Sequence, residues 1–400
     1  MVTLPGEDDR PLRIVQAAAF PFPSAQGSQV YVRGMARALA RRGHEVTVAC
    51  YAHGDGVPDE DYRVVRTPRV PGYRNLRAGP DLVKPVLDLA LAWKLARIPA
   101  DIVHAHNYEA PIAAAMARVW TGTPIVYCAH NTMGEELHTY FEGRVARGLA
   151  SRAGRLLDRT VPRLADHAQA ISPGAVDVLR GLGCSAVSLV PPGVARDDLT
   201  PVQPAVLPGK RWVVYAGNPD RYQDLDVLID AMRLLPDAGL LMVSASPLDA
   251  WAGCGLPRLR LVQTSDFAEV RAWLVAANVA ALPRAQCTGY PIKLLNYLGM
   301  GLPTVAAEGS AQVLPGVVAV PNHSPRALAR ALGDLLDRPH AARALGSEAR
   351  QHVLEHCTWD ARARDLEVLY RGVLRARRPS RRSSAGLERG YDAPRPARAH

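Results

Sequence analysis

Lysine is nearly missing from this chain: Lys84, Lys94, Lys210 and Lys293 are four of its 48 basic residues. No run reaches the ~18 uninterrupted apolar residues that cross a bilayer. The longest candidate, from Pro85 to Ala96, is broken by Asp88 and Lys94. The first residues carry Glu7, Asp8 and Asp9 before Arg10, which is not the basic-then-apolar order of a signal peptide. A cytoplasmic protein is therefore expected. Six cysteines (Cys50, Cys128, Cys184, Cys254, Cys287, Cys357) are scattered with no C-x-x-C, which argues against a disulfide framework or a zinc site and for buried reduced thiols. G-x-G-x-x-G and G-x-x-x-x-G-K-[ST] are both absent, which counts against a dinucleotide dehydrogenase and a P-loop enzyme.

At 400 residues, with 48% hydrophobic and 22% charged content, the chain has room for two ordinary domains, each with its own core. The net charge of +10 is concentrated at one end. Arg371 to His400 holds nine arginines against Glu388 and Asp392, seven of the ten net charges. Residues 376–400 are rich in Arg, Pro, Ser and Ala without apolar periodicity, and read as a disordered basic tail. With Tyr391 as its only aromatic residue, the tail lacks a stacking platform, so no nucleic-acid partner is expected.

Short apolar runs alternate with amphipathic helical stretches. Arg13 to Ala19 and Glu45 to Tyr51 read as strands around a helix from Ser28 to Arg42, and the alternation continues to Val187–Val190. It restarts at Trp212 to Ala216, beyond a proline-rich segment. The reading is α/β: two doubly wound parallel-sheet domains facing across a cleft. They are expected at 10–195 and 211–357, joined by a linker at 196–210. The expected site is the cleft, beyond the carboxyl ends of the strands.

The richest stretch is Cys287 to Ala306, CTGYPIKLLNYLGMGLPTVA. Thr288, Gly289 and Tyr290 form a polar loop, and Pro291 opens a helix. A helix N-terminus offers free N–H groups to phosphate, and Lys293 adds a point charge. A second strand–turn–helix, GNPDRYQD, carries Asn218 and Arg221 toward the same cleft. Arg221 reads equally as a phosphate ligand or a surface residue. Gly27, after the first strand, would allow close approach to backbone. Strand ends supply His104, His106 and Asn107, then His130 and Asn131; neither pair has helical metal-ligand spacing, so cleft lining is preferred to metal binding. Glu135 and Glu136 follow, fit to receive a hydroxylated acceptor or to start a helix. From Phe141 to Pro162, Arg144, Arg147, Arg152, Arg155 and Arg159 are set opposite Val145, Leu149, Leu156 and Leu157. That helix reads as a solvated face or as a peripheral contact with anionic membrane.

In their order and spacing, GSQVYVRGMARALARRGHEVTV, ADIVHAHN, PIVYCAHNT, LVPPGV, YAGNPDRYQDLDVLIDAM and TGYPIKLLNYLGMGLPTVA resemble glycosyltransferase family 4, from Arg13 to about Tyr370. The resemblance implies a GT-B architecture with an N-terminal acceptor domain and a C-terminal nucleotide-sugar domain. It also implies a last helix, at 358–375, that crosses back to the first domain. It implies retaining hexosyl transfer from a nucleotide diphosphate sugar to a hydroxyl on a glycan, a lipid-linked molecule or a small molecule, with no cofactor and no metal. By position it places Gly27 near the donor phosphates, His130 beside the reacting sugar, Thr288 to Pro291 on the sugar and Asn296 on the ribose. Asn218 also joins the donor site; His106, Asn107, Asn131 and Glu135 are acceptor candidates. Thr288 and Asn296 stand where the family carries two glutamates, and Asn218 and Gln223 where it carries Arg and Lys. Those departures motivate a second reading, a nucleotide-sugar-binding protein without catalysis. A hydrolase with a metal on His104, His106 and His130 is a third.

Overall fold

The computed structural model describes residues 10–23, 27–52, 61–70, 81, 83–287 and 289–377. The tail beyond Arg377, Thr288 and the side chain of Glu135 lie outside the described residues.

The first group of strands comprises β1 (Arg13–Pro21), β2 (Glu45–Tyr51), β3 (Arg63–Arg66), β4 (Ile102–His106), β5 (Ile125–Ala129), β6 (His167–Ala170) and β7 (Val187–Leu189). They pair in the order β3-β2-β1-β4-β5-β6-β7, with every pairing parallel. The second group comprises β8 (Trp212–Ala216), β9 (Gly239–Ser244), β10 (Leu259–Gln263), β11 (Val279–Leu282), β12 (Thr304–Ala307) and β13 (Val317–Val320). Its order is β10-β9-β8-β11-β12-β13, again parallel throughout. Central strands such as β1 are buried along nearly their whole length, as a sheet covered on both faces requires. The half-exposed edge strand β13 was not foreseen; its apolar run, VVAV, is only four residues long, although Pro315-Gly316 and Pro321 bracket it.

The chain reverses direction across each sheet at one place, between β1 and β4 in the first and between β8 and β11 in the second. A ligand crevice forms outside the carboxyl ends of the strands at such a switch. The loops that open there carry Gly27, Asn107, Gly217 to Asp224, and Arg284.

The last helix, Trp359–Arg377, packs on the Gly27–Arg41 helix and puts Ala363, Leu366, Tyr370 and Val373 into the core over the first sheet. Val194 and Thr358 bridge where the chain passes between the two sheets. No helix among the described residues is long and apolar enough to cross a membrane.

Candidate active site

Lys293 sits in the first turn of the Ile292–Gly299 helix and points back across the second sheet. Its Nζ donates to Tyr215 Oη at 3.0 Å and to Gln223 Oε1 at 2.9 Å. It lies 4.7 Å from the Tyr215 ring centroid. Both partners are held by the turn after β8. Tyr215 Oη donates to the Asn218 carbonyl at 2.6 Å, and Gln223 Nε2 to Asn218 Oδ1 at 2.9 Å. Gly217 covers the ammonium without obstructing it, since a Cβ there would come within 2.4 Å of Nζ. Among the described residues, Lys293 has no carboxylate within ion-pair distance. Burial, then the nearby Arg284, lowers its pKa to about 8. An ammonium caged by neutral groups has charge to spare for an anion.

Arg284 is the second cation, and sequence reasoning missed it. It leaves β11 at the switch point, donates from Nε to the Gln286 carbonyl at 2.5 Å, and lies over Tyr222 at 4.8 Å. Asp224 joins the two loops by accepting from the Ala285 N–H at 2.7 Å. Arg221 is exposed and makes no polar contact with Lys293 or its partners. Asn218 is engaged inside its own turn, with Asp220, Tyr222 and Gln223. Asn296, one turn beyond Lys293 and on the same side of the helix, is half-buried without a side-chain partner among the described residues.

The N-terminus of the Lys293 helix is less open than its sequence suggests. Ile292 N–H donates to the Tyr290 carbonyl and Leu294 N–H to that of Pro291, at 3.0 and 2.9 Å. Two early amides are thus already taken, because the buried Pro291 turns sharply into the helix. The cationic character of the pocket rests on side chains more than on this helix end.

Gly289 brings the other lobe into contact. A Cβ on Gly289 would meet Asn131 Oδ1 at 3.3 Å and the His130 carbonyl at 3.5 Å. Tyr290 packs against cores of both halves, and burial pushes its phenol pKa up. Gly27 begins its helix exposed, with nothing among the described residues within 4 Å of where a Cβ would stand.

His130 is 3% exposed, and burial lowers its pKa to about 3. Its Nε2 lies 3.0 Å from His106 Nδ1, and His106 Nε2 lies 2.6 Å from Gln16 Oε1. Since a carbonyl oxygen only accepts, His106 carries its proton on Nε2 and accepts at Nδ1. His130 therefore donates from Nε2 and keeps a bare Nδ1, which is not among the buried unpartnered atoms. Behind these rings, Gln16 Nε2 donates to Tyr370 Oη at 3.3 Å, and Tyr370 Oη donates to His104 Nδ1 at 2.7 Å.

His104 and His106 were expected at the cleft wall; both are fully buried. They alternate with Val103 and Ala105 on β4, and all five residues of that strand are buried, because both of its faces are covered. His106 consequently stands behind His130 and does not reach an acceptor. His104, His106 and Cys128 bring ligand-type atoms within 4.8 Å of one another. Both nitrogens of His106 are already hydrogen-bonded, and burial holds the Cys128 thiol well above its ordinary pKa. This donor set does not suit a hydrolytic metal, which needs free ligands and an open position.

On the acceptor side, Asn107 adopts a left-handed φ of 61° at the β4 switch. Asn131 Nδ2 donates to Glu136 Oε2 at 2.7 Å, so Glu136 is the carboxylate fixed beside the strand end.

Two family models divide the chain between them: Glycosyltransferase Family 4 over residues 25–198 and Glycosyl transferases group 1 over residues 210–338. A D-inositol 3-phosphate glycosyltransferase from Xylanimonas cellulosilytica is 29% identical, with 89% of this chain and 94% of that protein covered. A phosphatidyl-myo-inositol mannosyltransferase from Mycobacterium tuberculosis is 28% identical over 74% of this chain and 78% of its own length. In fold, a sucrose-phosphate synthase from Thermosynechococcus elongatus superimposes with a TM-score of 0.75 at 20% identity, covering 91% of this chain and all of that one. HepE of Anabaena, in complex with UDP-glucose, gives 0.63 at 14%, covering 90% of this chain and 99% of that one. The first model spans nearly the whole first sheet and the second spans the other, and the chain belongs to glycosyltransferase family 4, a family of glycosyltransferases with the GT-B fold.

Proposed function

We propose that this protein transfers a hexose from a nucleotide diphosphate sugar to an acceptor hydroxyl, with retention at the anomeric carbon and without a metal. The bond from the anomeric carbon to the diphosphate oxygen breaks. The acceptor oxygen attacks from the same face, and its proton passes to the departing β-phosphate. The products are a glycoside and a nucleoside diphosphate. Charge accumulates on the leaving group in the transition state, and fixed cations aimed there lower the barrier most.

The observation that carries this reading is the pair Lys293 and Arg284, cations without carboxylate partners among the described residues, set at the β8/β11 switch. They take the task that Asn218 and Gln223 cannot perform, and Gln223 instead orients the lysine. Asn296 is free to hydrogen-bond a ribose hydroxyl. A neutral His130, open at Nδ1, accepts a hydrogen bond from a sugar or acceptor hydroxyl. Relatives named for D-inositol 3-phosphate and phosphatidyl-myo-inositol support a hydroxyl on a polyol or its lipid as the acceptor class.

The test is a panel of nucleotide sugars, first by thermal shift and then by nucleoside diphosphate release with and without polyol acceptors. The expected result is stabilisation by one donor, and acceptor-dependent release that persists after chelation. Release that needs Mg²⁺ or Mn²⁺ overturns metal independence. Tight donor binding with no release or transfer favours the non-catalytic binding protein.

A further inference from the structure

The Arg144–Thr160 helix is mounted with its apolar side outward. At 100° per residue, Ala150, Gly154 and Asp158 share one face, and all three are buried. Val145, Leu149 and Leu156 lie on the opposite face, at 80%, 59% and 61% exposure. Arg152 and Arg159 border the same stripe and are exposed. The sequence left open whether the apolar side of this helix meets the protein or a membrane; the fold turns Val145, Leu149 and Leu156 outward, while Leu157 packs against the core.

This orientation is fixed by the inner face. Gly154 lies so close to the Met133 carbonyl that a Cβ would come within 2.2 Å. Asp158 accepts from Met133 N–H and Gly134 N–H, each at 2.8 Å, and from Tyr108 Oη at 2.5 Å. The helix cannot roll its leucines inward without breaking these bonds. None of Arg144, Arg147, Arg152, Arg155 and Arg159 has a carboxylate within ion-pair distance among the described residues. Among the described residues, eleven of the 18 exposed large apolar side chains fall between Val86 and Leu156 along the chain, including Trp93 and Trp120.

We infer that this helix docks the protein on an anionic lipid bilayer. An apolar stripe bordered by arginines matches the boundary of acyl chains and phosphate headgroups, and each basic side chain near such a surface adds attraction. A second copy of the chain fits worse, because a two-fold contact would press one set of arginines against its equivalent. This inference stands apart from the choice of donor or acceptor.

The experiment is co-sedimentation of the full chain with phosphatidylglycerol–phosphatidylcholine vesicles, with pure phosphatidylcholine as control. Binding is expected to the anionic vesicles only, weakening as salt rises. Leu149→Glu/Leu156→Glu should lower the partition coefficient about tenfold or more, since buried apolar area and charge both contribute. Arg152→Ala/Arg159→Ala should weaken it less. Full-length protein with Arg378, Arg381 and Arg382 changed to Gln should retain most binding. All four residues altered on the helix are exposed, so circular dichroism and thermal midpoint are expected unchanged. The inference is overturned by absence of binding at low salt, or by equal binding of the leucine variant. Loss caused by the tail substitutions alone, or a lipid-free dimer that the leucine substitutions dissolve, also overturns it.

Discussion

Replacing Lys293 by Met separates what the residue costs the fold from what it gives the reaction. The pKa falls from 10.5 to about 8, which corresponds to about 3 kcal/mol by which the folded state disfavours the charged form. That penalty is complete below about pH 8 and disappears by about pH 10.5. Wild-type stability should therefore rise through this window relative to Lys293→Met, tracked as the difference in urea midpoint. At pH 7 the variant regains the penalty but strands Gln223 Oε1, 2% exposed, which costs about 1–3 kcal/mol. Its thermal midpoint should thus be level with the wild type or slightly above. Activity moves the other way. A unit charge roughly 4 Å from a phosphate oxygen, at an effective dielectric of about 20, is worth about 4 kcal/mol. If most of that acts in the transition state, kcat falls by about 10²-fold or more. Nucleoside diphosphate release at saturating donor reads this directly. Turnover within twofold of wild type would refute the role, and so would matched stability profiles between pH 8 and 10.5.

Two other perturbations address the opposite lobe. His106→Leu leaves His130 Nε2–H only the weak Cys128 Sγ acceptor, 3.4 Å away, and loosens the ring tautomer, so kcat should drop about tenfold with donor KM little changed; ¹⁵N NMR of the wild type should show His130 neutral, Nε2-protonated, down to pH 5, and protonation above that refutes the His106–His130 hydrogen bond as the tautomer's support. Asp158→Ala removes the acceptor of two backbone N–H groups and one phenol; stability should fall by about 2–4 kcal/mol with faster hydrogen exchange at Met133 and Gly134, and an unchanged midpoint would refute its anchoring role.

Much of the fold is legible in one dimension because parallel strands buried on both faces must be continuous apolar runs. β5, β8, β9 and β12 show it most plainly, and β1 and β4 do so apart from Gln16, His104 and His106, with amphipathic helices between the strands. The edge strand β13 was passed over because a four-residue apolar run, VVAV, is too short to be told from other structure by period alone. Lys293 is visible for a different reason: in a chain whose cations are almost all arginine, a lysine opening a helix after a polar loop stands out. Arg284 carries no such mark. It is one arginine among many, and it matters because β11 ends beside β8 at the switch point.

The sequence by itself determined the two parallel sheets, the strand ends that face the cleft, and the loop that carries Lys293. Period and composition are local properties, and local burial patterns encode them. Only the tertiary structure decided that Arg284 replaces Arg221 beside the lysine, and that His106 stands behind His130 with Gln16 and Tyr370 fixing its tautomer. It alone turned Val145, Leu149 and Leu156 of the arginine helix to the outside. Those outcomes depend on residues between about 20 and 350 positions apart, such as Met133 with Asp158, Asp224 with Ala285 and Gln16 with Tyr370. Such pairings are set by which strands become neighbours, and no local period records that.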